Sequence, residues 1–146
     1  MPARKPTALK LLMGTARSDR IRNEPRYTRT IPRQPATLSK GARIFWRELA
    51  RQLDQAGVMT EADRHALALT CEALAEHQAA AAVVVELGAT YQAITETGTV
   101  MHRVRPEVRI AADAWRRSMR GLEAFGLSPA SRGRIDAPPS AVKPSW

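Results

Sequence analysis

The stretch Ser39–Asp63, SKGARIFWRELARQLDQAGVMTEAD, holds one helix from end to end and the start of the next. Ser39 is a natural N-cap, because a serine hydroxyl can accept one of the backbone N–H groups that a first helical turn leaves unpaired. Ala42, Phe45, Trp46, Leu49, Ala50 and Leu53 then recur at steps of three and one, which marks a single buried face. Lys40, Arg43, Arg47, Glu48, Arg51 and Asp54 take the opposite side. Gly57 lies just past Gln55, so the spacing predicts a helix from the Ser39 cap to about Gln55. Thr60–Asp63 (TEAD) is a capping-box-like start, with aspartate where glutamate or glutamine is usual. The helix it opens can run to Leu87 before Gly88 stops it. A connection of only a few residues makes these two helices an antiparallel hairpin.

Downstream of that hairpin the pattern changes. On the second helix Leu67, Cys71, Leu74, Gln78, Ala82 and Val85 fall along one side, and Ala79–Ala82 offers small surfaces for a close-packed neighbour. Tyr91–Ile94 and Val100–Val104 then flank the polar turn Thr95–Gly98, which reads as a β-hairpin. Pro106 suits the first turn of a third helix, where its missing N–H costs nothing. Val108, Ala112, Trp115, Met119 and Leu122 form a seam near heptad spacing on that helix, and Gly126 closes it. Ser128-Pro129 can cap one further turn. Upstream, residues 1–37 carry five prolines and few apolar residues beyond Met13. They cannot bury enough surface to offset the entropy of ordering. The predicted fold is mainly α: a long antiparallel helical hairpin plus a third helix, a small β-hairpin between them, and a disordered basic N-terminal arm. Its parts are a flexible arm (1–37), a helical oligomerisation domain (38–135, with the β-hairpin near 91–104) and a flexible tail (136–146). A single core of this size is thin, which points to a multimer.

Charge follows the same division. The 146 residues carry a net charge of +9, of which residues 1–35 hold +7 and residues 36–127 sum to zero. A neutral body with a cationic arm fits a chain that meets a polyanion such as nucleic acid. One cysteine, Cys71, excludes an internal disulfide. No apolar stretch approaches the ~18 residues needed to span a bilayer, so no membrane partner is expected. The opening Ala8–Met13 run is too short for a signal peptide and contains Lys10.

Enzymatic equipment is not legible. Gly121–Leu127 (GLEAFGL) has glycines at Walker-like spacing, but Leu127 stands where the phosphate-binding lysine belongs. His65, Cys71, Glu72, Glu76 and His77 share one helix, but no His–His or His–Cys pair stands at i, i+4, and Glu72 and Glu76 share a face without a partner set, so a solvated polar face is the expectation and no metal or other cofactor is. Ser39, Ser118, Ser128 and Ser131 have no neighbouring base, and Cys71 reads as a small core residue. The expectation is a non-enzyme whose chemistry is electrostatic. Arg4, Lys5, Lys10, Arg17, Arg20, Arg22, Arg26, Arg29 and Arg33 can each neutralise a phosphate, with little sequence discrimination. Tyr27 could stack on an exposed base. Arg116, Arg117 and Arg120 make a second basic group on the third helix, either a solvated face or the lining of a channel between assembled copies.

The ordered pieces KPTALKLLMGTARSDRIRNEP (Lys5–Pro25), Leu38–Leu53 with Trp46 and Leu49, Gly57, Thr60–Asp63, and GLSPASRGRI (Gly126–Ile135) together resemble the phage terminase small subunits. The resemblance implies a recognition and regulatory subunit in the host cytoplasm, encoded by a phage or prophage. Such a subunit binds double-stranded viral DNA, assembles into a homo-oligomeric ring and serves a large subunit that carries the ATPase and nuclease. The Leu9–Met13 cluster could dock on that large subunit. Two departures stand out: no short helix-turn-helix is apparent before Ser39, and Arg105-Pro106 replaces a common Asn-Pro. The rival readings are a small helical nucleic-acid-binding transcriptional regulator and an interaction protein whose arm only aids solubility.

Overall fold

A computed structural model describes residues 28–132 of the chain. In order they form α1 (Lys40–Gln55), a 3-10 turn (Glu61–Asp63), α2 (Arg64–Leu87), β1 (Thr90–Ile94), β2 (Val100–Val104), α3 (Pro106–Ala124) and the one-turn α4 (Pro129–Arg132). The mainly helical class and the small β-hairpin are as the sequence predicts. The arm up to residue 27 and the tail from residue 133, including the Leu9–Met13 cluster, lie outside the described residues.

The local signals act where they stand. Ser39 Oγ accepts the Ala42 N–H at 3.2 Å. Glu72 of α2 accepts from both the Ser39 N–H (2.7 Å) and its hydroxyl (2.8 Å), so a carboxylate from the second helix also holds the positive end of the first. Asp63 completes the capping box by accepting from the Thr60 N–H and hydroxyl. At the ends of α1 and α3 the same six-residue closure recurs: Val58 N–H donates to the Leu53 carbonyl, and Leu127 N–H to that of Leu122. Gly57 and Gly126 stand at the left-handed position between, with φ of 66° and 71°. Gly126 is therefore a helix stop and no part of a phosphate loop. Ser128 and Ser131 share a 2.7 Å hydroxyl contact across α4.

Residues 29–39 form a strap outside the helices. Arg29 bridges Thr60, the Thr30 N–H donates to the Met59 carbonyl, and Pro32 is fully buried. The strap thus returns from the loop after α1 to the first turn of that helix. Its end is tied there by Arg43, whose guanidinium donates to the carbonyls of Leu38 (2.9 Å) and Ala36 (3.0 Å).

The core sits at one end of the molecule. Leu38, Ala42, Trp46, Leu49, Ala50, Leu53, Met59, Leu67 and Cys71 form one buried cluster, with Leu122, Phe125 and Leu127 packed on it. Cys71 is wholly buried, and that burial, with some help from the Glu72 carboxylate, pushes its thiol up to about 12.

Two predicted seams are corrected. On α2, Gln78, Ala82 and Val85 are exposed, Val85 by 86%. The buried positions there are Leu67, Thr70, Cys71, Ala73 and Ala80. On α3, Ala112 and Trp115 face outward, and the buried residues are Ala114 and Ser118. The reason is the closeness of the two helices. A Cβ built on Gly121 would stand 2.2 Å from Thr70 Oγ1, so only small side chains fit between α2 and α3, and the large apolar ones are left outside. His77, expected on a solvated face, is half-buried and its Nδ1 lies 3.0 Å from the Ala111 carbonyl, a hydrogen bond between the helices.

Candidate nucleic-acid interface and assembly surface

Beyond the core, the second half of α2, the β-hairpin and the first half of α3 form an extension. Arg105 fixes its root. The Arg105 N–H donates to the Ala89 carbonyl (2.9 Å), its guanidinium donates to Leu87 at the negative end of α2 (3.3 Å), and the same group lies 5.7 Å from the Tyr91 ring centroid. The turn closes on Thr95, whose hydroxyl accepts the Thr99 N–H at 3.0 Å, with Gly98 at φ 79°.

The hairpin register sorts its side chains. Ile94 pairs with Val100, Gln92 with His102 and Thr90 with Val104, all on one face; Tyr91, Ala93, Met101 and Arg103 share the other. Ile94 (76%), Val100 and Val104 are exposed, as are Val85, Leu87, Ile110 and Trp115 on the flanking helices. On one face of the hairpin, Ile94, Val100 and Val104 thus form a cluster of exposed apolar side chains, a candidate interaction surface. The hairpin is also a two-stranded sheet, so the outer edge of each strand carries backbone groups with no ladder partner.

The basic candidates distribute unevenly. Arg4, Lys5, Lys10, Arg17, Arg20, Arg22 and Arg26 lie outside the described residues. Arg29 and Arg33 are exposed on the strap. Arg116, Arg117 and Arg120 are all exposed on α3 but differ in what faces them. Arg117 is held by Glu76 of α2 and by Asp113 (3.0 Å), and those hydrogen bonds raise its already high pKa. Arg116 is 4.0 Å from Asp113, and Arg120 makes no ion pair among the described residues. Arg117 is therefore a tie between helices. Asp113 was legible as its i−4 neighbour; Glu76, forty-one residues away, was not. Arg105 was also missed, because its partners come together only when the hairpin folds back.

Among the described residues no three His, Cys, Asp or Glu side chains gather into a group that could hold a metal. Glu72 and Glu76 are committed to Ser39 and Arg117. No described helix is long and apolar enough to cross a membrane.

A family model described as phage terminase, small subunit, matches residues 42–141. Neither the curated proteins nor the solved structures include a match. The family match spans all three long helices and the hairpin, and the chain belongs to the phage terminase small-subunit family.

Proposed function

We propose that this protein is the recognition and regulatory subunit of a genome-packaging motor. It forms a homo-oligomeric ring, binds double-stranded viral DNA and regulates the ATPase and nuclease of a terminase large subunit in the host cytoplasm. The observation that carries this reading is the family match across the helical body. The exposed apolar residues of the extension support it, since a ring needs a surface that each copy covers on the next. The arm supports it from the other side: seven of its cations precede the described residues and two follow on the strap, all able to neutralise phosphates. Catalysis belongs to the large subunit, and this chain supplies binding energy and geometry.

DNA binding is tested by fluorescence anisotropy of a labelled viral duplex against the full chain and a version lacking residues 1–27. The cut stops at 27 because Pro32 is buried in the body and the strap must stay. The full chain should bind with a steep loss of affinity between ~50 and ~200 mM salt, and the shortened chain should bind far more weakly. Equal binding by both would move recognition to the body, and no binding by either would end the packaging reading.

A further inference from the structure

The helical body carries a basic surface that the arm and α3 do not account for. Lys40, Arg43, Arg47 and Arg51 follow one another along α1 at steps of three, four and four. At 3.6 residues per turn they fall within an arc of about 80°, and the stripe runs ~16 Å along the axis. All four are exposed.

What distinguishes them from Arg116 and Arg117 is the absence of compensation. Among the described residues, the ion pairs within 4.0 Å involve only Arg116 and Arg117. Lys40, Arg47 and Arg51 have no carboxylate partner among the described residues. Arg43 donates to two backbone carbonyls, which fix its position and leave its charge in place. Of the acids on α1, Glu48 lies about 60° beyond the stripe, where it accepts from Gln52, and Asp54 falls in the arc but nearly a turn past Arg51. The strap adds exposed Arg33 and Arg29, and its end is tied to Arg43 at the start of the stripe.

We propose that the outer face of α1, through Lys40, Arg47 and Arg51, is a second backbone-binding site for the viral duplex, in series with the arm. This rests on the reading of the chain as a DNA-binding subunit. A duplex presents a negative charge about every 1.7 Å along its axis, so a ~16 Å stripe lies against several phosphates at once. Cations without partners in their own fold give up no internal ion pair on meeting them. Arg117 would have to leave Glu76 and Asp113 first. The stripe contributes affinity and orientation, and no base sequence is read by it.

The test uses the full chain and the same labelled duplex. A Lys40→Gln, Arg47→Gln, Arg51→Gln variant is compared with wild type and with Arg116→Gln, Arg120→Gln. The α1 variant should bind about tenfold or more weakly at ~0.1 M salt, and the slope of log affinity against log salt should become shallower by about 2–3, one step per lost phosphate contact. The α3 variant should lose less. Because the three side chains are exposed and make no hydrogen bond or ion pair among the described residues, the melting temperature and mass of the α1 variant should match wild type. Asp54→Asn, which removes the acid inside the arc, should tighten binding by about twofold, a gain that damage to the fold cannot give. Unchanged affinity and slope in the α1 variant, beside a wild type that binds, would reduce the stripe to a solvated face and overturn this proposal alone. A wild type that binds no duplex at low salt would overturn the DNA-binding reading, and this one with it.

Discussion

The two halves of the helical body use apolar residues in opposite ways. At the core end, Trp46 is 3% exposed and sits in a cluster with Leu38, Leu49, Leu53, Leu67 and Cys71. In the extension, Trp115 is 52% exposed, and Val85, Ile94, Val100 and Val104 are uncovered with it. At the core end this cluster is closed by its own side chains, with Ile31, Ile44 and Leu69 exposed around it. The extension is held by small residues, by the His77–Ala111 hydrogen bond and by Arg105, and its large side chains are left for something else to cover. The core end therefore accounts for the fold of the body, and under the proposed ring the extension is the surface that a neighbouring copy would cover.

Truncating the two tryptophans separates the halves most clearly. Trp46→Ala should cost about 3–5 kcal/mol in urea unfolding, because it opens a cavity in the core. Trp115→Ala should leave the unfolding of a dilute protomer nearly unchanged while lowering the mass seen by light scattering. Equal losses of stability would mean that the two halves are one core.

A smaller effect is expected where α3 joins α2. Gly121→Ala places a methyl against Thr70 Oγ1, Cγ2 and Cβ at 2.2, 2.7 and 2.9 Å, and such overpacking should cost about 1–3 kcal/mol. Thr70→Ala in the same chain should recover only part, since the 2.9 Å Cβ contact remains. Full tolerance of Gly121→Ala, read as an unchanged denaturation midpoint, would show that the helices are not this close.

Cys71 gives a pH signature of the closed half. Its thiol is raised from 9.0 to about 12 in the fold, so the folded state holds that proton more tightly than the unfolded chain does. The associated stability is complete below pH 9 and is lost as pH rises toward 12, by at most ~1.4 kcal/mol per pH unit. Melting curves of wild type should therefore fall more steeply between pH 9 and 10.5 than those of Cys71→Ala. Parallel curves would mean that water reaches the sulfur. Smallest of all, Glu76→Gln should leave the midpoint unmoved, as the pair with Arg117 is half-exposed on both sides and screened by solvent.

These halves were unequally legible in the sequence. Helix starts and stops rest on local chemistry: a serine or threonine hydroxyl, a carboxylate three residues on, a proline in the first turn, a glycine after the last. Ser39, Thr60–Asp63, Gly88, Pro106 and Gly126 all act within a few residues of themselves, and every boundary they marked is close to the one observed. The faces of α2 and α3 were not legible, because hydrophobic periodicity does not separate apolar residues buried in the fold from apolar residues left exposed. Val85 and Trp115 fit the periodicity and are nevertheless exposed. The actual seam of Thr70, Ala73, Ala80, Ala114, Ser118 and Gly121 is nearly silent on a hydropathy scale. Of the basic candidates, the arm could be recognised by its charge excess alone. The pairing of Arg117 with Glu76, and the absence of such pairing along α1, depend on which helices meet.

Light scattering at tens of micromolar, across salt, shows whether copies assemble through the extension. It compares the wild type with Ile94→Asp, Val100→Asp, a cross-strand pair on the exposed hairpin face. The expected result is a wild-type multimer of defined mass and a variant of protomer mass with an unchanged helical signal. A wild type that is monomeric throughout, or a variant that assembles just as the wild type does, would contradict the account of the extension as the surface between copies.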